Sequence, residues 1–256
     1  MTLNLEPSIL VPALLAGLLV TLTHAPLGIQ VLNRGIVFID IAIAQIAGVG
    51  VIAADFFGWE TEAGGAAVQV SALAAALLGA LFLTWTEKRW PHIQEAIIGT
   101  VFILAATLSV LLLAGNPHGG EYLKDLLVGQ ILWTSHSQLI IVAVLTAVVL
   151  VAWFGIGRER LGRVGFYLLF GLSVTASVQM VGVYLVFSSL IIPALATRNA
   201  VRFRLGKAYV VSGLGYLAGL VASTLFDLPT GAIIVWAMAI VGIVASTLEP
   251  DRARHA

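Results

Sequence analysis

Apolar stretches of roughly membrane-spanning length recur from one end of this chain to the other. They cover residues 8–23, 35–57, 66–86, 96–115, 137–157, 164–197, 208–226 and 230–248, and their only charged members are Asp40 and Asp55 in the second stretch. A helix needs ~20 apolar residues to cross a bilayer. The alternating pattern of a membrane β-barrel is absent, and only 10% of residues are charged, against ~25% in soluble domains. The chain is therefore expected to be one all-α, polytopic membrane domain over residues 1–256.

The stretch 164–197 is too long for one ordinary span and too short for two. It runs 34 residues without a charge, whereas two full spans need ~40. We predict a full helix, a break near Gly182, and a short re-entrant or half-length return helix near residues 183–197, ending near Pro193. Broken segments at membrane depth occur where they are buried in protein or line a cavity. Counting the return helix gives eight to nine membrane segments.

The basic residues predict an orientation, because lysine and arginine concentrate in cytoplasmic loops. The loops between the basic clusters are acidic or neutral, and Lys124 is the one basic residue outside the clusters. This alternation predicts an extracytoplasmic N-terminus and a cytoplasmic C-terminus. The basic clusters are Arg34; Lys88 and Arg89; Arg158, Arg160 and Arg163; Arg198, Arg202, Arg204 and Lys207; and Arg252 and Arg254, while the acidic loops carry Asp55, Glu60 and Glu62; Glu121 and Asp125; and Asp227.

The loops leave no room for a soluble catalytic domain, the longest polar stretch being about residues 116–136. The chain has no GxxxxGK[ST] phosphate loop and no cysteine. A transport component is therefore expected rather than an enzyme, with no covalently bound cofactor. Any metal would be held by nitrogen and oxygen donors, which suit zinc, manganese and iron.

Asp40 is the strongest candidate for a functional residue. A carboxylate inside a span is costly unless it has a partner or a task, so such residues mark pathways for ions or substrates. A structural alternative also exists, because Asp40 follows Arg34 by six residues, or ~9 Å along a helix. It could cap the start of the second span or pair with a basic group at the cytoplasmic face.

Four further polar positions are weaker candidates. His118 and Glu121 are three residues apart, the spacing of two ligands on one helical face, and His136 belongs to the same predicted outer region. The alternative for this pair is a loop–helix junction in which Glu121 stabilises the helix N-terminus. Gln179 lies inside the stretch 164–197, where it would serve either the pathway or packing between helices.

Four segments, in order, resemble the zinc/manganese-type ABC importer permeases, the ABC-3 family. One segment, at residues 177–200, resembles that family's signature region and reads SVQMVGVYLVFSSLIIPALATRNA. The other three are APLGIQVLNRGIVFIDIAIA at 25–44, resembling the first loop and second span; EAIIGTVFILAATLSVLLL at 95–113, resembling the fourth; and FDLPTGAIIVW at 226–236, resembling the last loop and final span.

The resemblance implies a bacterial plasma-membrane permease that works as a homodimer by alternating access, carrying zinc, manganese or iron. A separate cytoplasmic ATPase and an extracytoplasmic metal-binding protein would complete the importer, with lipid and no nucleic acid as further contacts. The family's ATPase-coupling helix would correspond to the region with Arg198, Arg202, Arg204 and Lys207, although ordinary cytoplasmic anchoring accounts for the same charges.

The second span departs from the family pattern at two positions. The family typically has Gly-Asp followed by His four residues after the aspartate, whereas here Ile39 precedes Asp40 and Ala44 occupies the fourth position. Gln45 follows one residue later. Five residues turn a helix by ~500°, so Gln45 is rotated ~140° from Asp40 and is a weaker companion ligand.

Two other classes of transporter remain open at this point. One is an ABC permease for a metal chelate of the siderophore or cobalamin type, although such permeases are usually longer. The other is an ion-coupled secondary carrier, although those are often built from inverted repeats, and no clear repeat is present.

Overall fold

The computed structural model describes residues 7–58 and 65–248, which form ten α-helices. The predicted loop acids Glu60 and Glu62 and the C-terminal Arg252 and Arg254 lie outside the described residues. The helices are α1 Pro7–Arg34, α2 Ile39–Phe56, α3 Ala66–Arg89, α4 Gln94–Leu113, α5 Gly119–Val128, α6 His136–Val151, α7 Arg158–Val181, α8 Val183–Ala196, α9 Arg204–Phe226 and α10 Thr230–Thr247.

Eight of these helices are long and apolar enough to cross a membrane, namely all except α5 and α8. Across the described ranges no strand is present. The prediction of an all-α polytopic membrane protein with eight to nine membrane segments is therefore confirmed. The short apolar helix α8 is the additional segment.

The break predicted near Gly182 is present between α7 and α8. Gly182 has φ 81° and ψ 161°, a backbone conformation that residues with a Cβ rarely adopt. The glycine also allows a close approach, because a Cβ at Gly182 would meet the backbone of Val128 and Gly129 at the end of α5. The half-length return helix α8 therefore starts where the predicted glycine requires.

Helix α8 lies at the centre of the bundle, in contact with α1, α2, α5, α7, α9 and α10. Most of its side chains are buried. Helix α1 comes so close to it that a Cβ at Gly28 would collide with the backbone of Leu190. Small residues at helix contacts are how membrane helices approach each other. Being enclosed by protein allows a half-length helix to remain at membrane depth.

Helix α1 is longer than the sequence suggested. The apolar stretch was expected to end near Thr23, with a loop from Ala25, but α1 continues through Pro26 to Arg34. A proline cannot donate to the carbonyl four residues earlier, which here is Leu22. The Tyr209 hydroxyl of α9 donates to that carbonyl at 3.2 Å. A partner from a distant helix thus stabilises the turn that proline would otherwise leave unsatisfied.

Candidate functional site

Asp40 lies in the first turn of α2 and is completely buried. Neither carboxyl oxygen has a hydrogen-bond partner among the described residues. A buried polar group without a partner costs ~1–3 kcal/mol, and more if it is charged. The side chain is therefore placed where folding alone gives it no compensation.

The structural alternatives for Asp40 are not formed. The residue at the cap position of α2 is Phe38, which makes no side-chain cap, and Asp40 accepts none of the free N–H groups of the first turn. The guanidinium of Arg34 lies over the ring of Phe166, 4.2 Å from its centroid, and makes no ion pair with Asp40. The carboxyl therefore has neither a hydrogen bond nor an ion pair among the described residues.

Gln45 is also buried, with 3% of its surface exposed, and its Oε1 atom has no partner in the described part of the chain. It lies five residues beyond Asp40 on α2, ~7.5 Å along the axis and on a different face. Side chains with unpartnered oxygen atoms, Asp40 and Gln45, therefore project from one helix in different directions. Ala44, where the related family has histidine, is buried and offers no donor.

His118 and Glu121 come together at the start of α5. His118 Nδ1 lies 3.9 Å from Glu121 Oε2, and the two side chains are 84% and 77% exposed. Within residues 7–58 and 65–248, no group of three His, Asp or Glu side chains is arranged to hold a metal, so His136 does not complete a site with this pair. His136 instead begins α6 directly after the capping residue Ser135.

A cavity of about 450 Å³ lies at the predicted outer ends of α2, α5 and α7. Gln179 lines it from the end of α7, and the buried Nε2 atom of Gln179 has no partner in the described residues. Asp55 and Asp125 line it as well. From the sequence these aspartates are only loop charges, 70 positions apart in the chain. Their acidity was the available signal, but nothing in the sequence indicated that they line one cavity.

Tyr122 also lines this cavity, from α5. Burial raises the pKa of its hydroxyl, and the negative charge of nearby Asp55 raises that pKa further. The hydroxyl consequently stays protonated at neutral pH. A neutral phenol beside two aspartates provides another oxygen that can face a cation.

His24 is another residue without a role predicted from the sequence. It directly follows the first apolar stretch, 8–23, but it lies inside the longer α1 and is completely buried. Its Nδ1 atom is 3.0 Å from the Val20 carbonyl oxygen and 3.0 Å from Thr23 Oγ1, while Nε2 has no partner among the described residues. The longer α1 is the reason for the difference.

The four basic residues of the predicted coupling region differ in their surroundings. Arg204 turns inward, where its guanidinium donates to Asn33 Oδ1 at 3.2 Å and to the Ala194 carbonyl at 3.5 Å. Arg198 donates to the Leu195 carbonyl at 3.3 Å. Arg202 and Lys207 are exposed. Arg204 thus joins the end of α8 to α1, whereas the side chain of Arg202 is exposed on the protein surface.

Eight candidate spans around a broken central segment, with a buried unpartnered carboxyl, define a multi-pass membrane transport protein. The chain belongs to the ABC 3 transport family, whose model matches residues 6–161 and 154–249. The predicted family is confirmed, and with it the prediction of a transport subunit rather than an enzyme. Family and spans together indicate a protein of a bacterial inner membrane.

Two similar proteins carry names that state a cargo. The high-affinity zinc uptake system membrane protein ZnuB of Haemophilus influenzae is 24% identical over 249 residues, covering 89% of this chain and 92% of that protein. The manganese transport system membrane protein MntC of Halalkalibacterium halodurans is 26% identical over 266 residues, covering 95% of this chain and 86% of that protein. This chain aligns with both along nearly its full length.

Two solved structures have the same fold. PsaBC from Streptococcus pneumoniae, determined in complex with Fab, superposes with a TM-score of 0.77 at 19% identity, covering 96% of this chain and 94% of that one. An inward-facing transporter assigned to the metal-chelate ABC type superposes with a TM-score of 0.69 at 18% identity, covering 92% of this chain and 84% of that one. The overall fold of this chain is therefore shared with both solved structures.

Proposed function

We propose that this chain is the membrane-spanning permease subunit of an ATP-driven importer for a divalent transition metal, zinc, manganese or iron. The observation that carries the proposal is the Asp40 carboxyl, buried inside a span of an ABC 3 family chain with neither oxygen partnered. Such a group is costly to the fold and is retained where it binds a cation that passes. The zinc and manganese systems named among the relatives support this cargo.

The transport cycle needs partners that this chain does not contain. Two copies would enclose the pathway, a cytoplasmic ATPase pair would drive it, and an extracytoplasmic binding protein would deliver the metal. ATP binding and hydrolysis on the partner would rock the two copies between outward-open and inward-open states. His118 and Glu121 are proposed as an exposed first contact for the arriving metal, since borderline cations accept imidazole and carboxylate together.

Asp40 can be tested by metal accumulation. Cells expressing this chain with its candidate ATPase and binding protein are expected to gain zinc, manganese or iron, measured by elemental analysis. Asp40→Ala should reduce this gain to the level of cells that carry an ATPase without hydrolytic activity. Asp227→Asn, which changes an exposed acid at the end of α9, is the matched control and should leave the gain unchanged. Normal accumulation by Asp40→Ala would overturn the pathway assignment.

The ATPase contact is proposed to involve the solvent-exposed Arg202 rather than Arg204. Arg202→Glu is expected to reduce the copurified ATPase several-fold without lowering the thermal unfolding midpoint of the permease. Arg204→Glu should lower that midpoint, because it removes the donors to Asn33 and Ala194. Lys88→Glu, in a different predicted cytoplasmic loop, serves as the charge control. Unchanged copurification of the Arg202 variant would leave this region with an anchoring role only.

A permease for a metal chelate is the second candidate, because the fold also matches the metal-chelate type transporter. The two candidates differ in what competes for uptake. Free zinc or manganese should compete with the cargo of a bare-cation importer, whereas only the chelate should compete in the other case.

A further inference from the structure

The outer cavity has a consistent electrostatic character. Asp55 and Asp125 line it, and no Lys, Arg or His is among its described lining residues. Both aspartates are exposed, so the cavity communicates with solvent. A cleft lined by one sign of charge raises the local concentration of counter-ions. This cavity therefore favours cations over anions and neutral solutes.

The C-terminal ends of three helices, α2, α5 and α7, lie at the cavity. Asp55 lies in the last turn of α2 and Asp125 in the last turn of α5, while Gln179 lies just before the end of α7. The C-terminal end of a helix has free carbonyls and a partial negative charge, which favours basic side chains there. Neither α2 nor α5 has a basic residue in its last turn. Two acids thus occupy positions where a nearby cation would stabilise the protein.

Two helices also begin at this cavity, but they bring little compensating charge. At α6, Ser135 and Gln138 form a capping box that engages free N–H groups of the first turn. At α3, the lining residues are Val68 and Gln69, which are uncharged. Among the described lining residues, no basic side chain offsets the negative charge of the two aspartates.

The remaining polar groups suit a cation that keeps part of its water shell. Asp125 Oδ2 accepts a hydrogen bond from Gln130 Nε2 at 2.9 Å, which orients that carboxylate. Tyr122 contributes a neutral hydroxyl, and the unpartnered Nε2 of Gln179 can donate to a water molecule. A volume of about 450 Å³ is ample for a metal ion with several waters.

We propose that this cavity is a cation-binding site distinct from Asp40, in which Asp55 and Asp125 hold a partly hydrated divalent cation. Asp55 follows Asp40 by 15 residues on α2, so the two sites lie ~22 Å apart along one helix. Carboxylate, hydroxyl and water oxygens suit manganese better than softer cations. The role of this site is to hold the cation before it reaches Asp40. Only that role depends on the proposed function; cation binding at the cavity does not.

The absence of cysteine makes a local measurement possible. A nitroxide attached to Gln69→Cys would report from the cavity, and one attached to Lys88→Cys would report from the other end of α3, ~28 Å away. The full chain in lipid nanodiscs is titrated with Mn²⁺ alone, and paramagnetic broadening of each nitroxide is followed by electron paramagnetic resonance. Half-maximal broadening is expected at a Mn²⁺ concentration at least tenfold lower for Gln69→Cys than for Lys88→Cys.

The Asp55→Asn/Asp125→Asn double variant should remove this tenfold difference, whereas Asp227→Asn should preserve it. Asp40→Ala should also preserve it, because Asp40 belongs to the other end of α2. Equal broadening at both labels in the unaltered chain, or a preserved difference in the double variant, would overturn the proposal.

The experiment separates this proposal from the importer proposal because it uses no ATPase and no transport. Loss of the cavity signal in a chain that still supports ATPase-dependent uptake would reject the outer site alone. A clear cavity signal in a chain whose uptake ignores the ATPase would support the site and reject the importer proposal.

Discussion

Asp40 is held in place by the packing of α2 rather than by its own interactions. The surrounding residues Ile39, Ala42 and Ile43 are completely buried, whereas both Asp40 carboxyl oxygens lack partners in the described chain. A residue of this kind contributes nothing to stability that packing does not already supply. Functional sites often carry such a cost, so that activity and stability respond in opposite directions to substitution.

Stability can therefore distinguish a pathway role from a capping role for Asp40. Asp40→Ala is expected to leave the thermal unfolding midpoint of the purified chain unchanged or to raise it, because no hydrogen bond is lost. A helix cap removed by alanine costs ~0.5–2 kcal/mol. Ser135→Ala supplies the comparison, since Ser135 accepts from the N–H of Gln138 at 3.3 Å in a complete capping box. A midpoint that falls equally in both variants would make Asp40 structural.

At the level of elements, the contact between the α7–α8 break and the end of α5 is decided by glycine. Gly182 and Gly129 both have positive φ, 81° and 71°, and each lies against the other's backbone. Gly129 also lines the outer cavity. The break is thus joined directly to the wall of the proposed outer site. A shift of α5 would change both the cavity and the start of α8.

A pair of glycine variants separates backbone strain from close approach. Gly157 has φ 83° and ψ 147°, nearly the conformation of Gly182, but nothing lies within 4 Å of a Cβ placed there. Gly157→Ala is expected to cost ~1–3 kcal/mol from backbone strain alone. Gly182→Ala should cost clearly more, because its Cβ would also collide with α5.

The measurement is the thermal unfolding midpoint of each purified variant, with Gly99→Ala as a substitution in open space at ordinary helical geometry. Equal losses for the Gly157 and Gly182 variants would mean that the α5 contact adds no constraint. If Gly182→Ala yields no folded protein while Gly157→Ala does, the close approach is decisive.

At the level of the whole molecule, the short helix α8 decides on which sides of the membrane the two termini are expected. Eight spans alone would place both termini on one side, whereas α8 as a ninth crossing would place them on opposite sides. With the basic loops in the cytoplasm, the N-terminus is expected outside and the C-terminus inside. This orientation would put the outer cavity on the side from which an imported cation arrives.

Single cysteines can test this topology, because the chain has none of its own. Glu121→Cys is expected to react with a membrane-impermeant maleimide in intact spheroplasts. Arg202→Cys should react only after the membrane is permeabilised, and its labelling then controls for exposure of the thiol. The reverse pattern would invert the orientation, and labelling of both without permeabilisation would rule out the predicted number of crossings.

Sequence alone was sufficient for features that depend on length and charge along the chain. The spans, the break at Gly182 and the short α8 followed from comparing apolar length with the thickness of a bilayer. The candidate Asp40 followed from the cost of a carboxyl inside a span. These constraints are one-dimensional, so they can be applied before any helix is packed.

Only the tertiary structure decided features that join distant parts of the chain. Helix α1 continues past Pro26 because Tyr209, 187 positions away, donates to the carbonyl that the proline leaves free. Arg204 turns inward because Asn33 and Ala194 lie beside it. Asp55 and Asp125 share a cavity because α2 and α5 end together. Each depends on which helices become neighbours, and that is set by packing in three dimensions rather than by any local pattern.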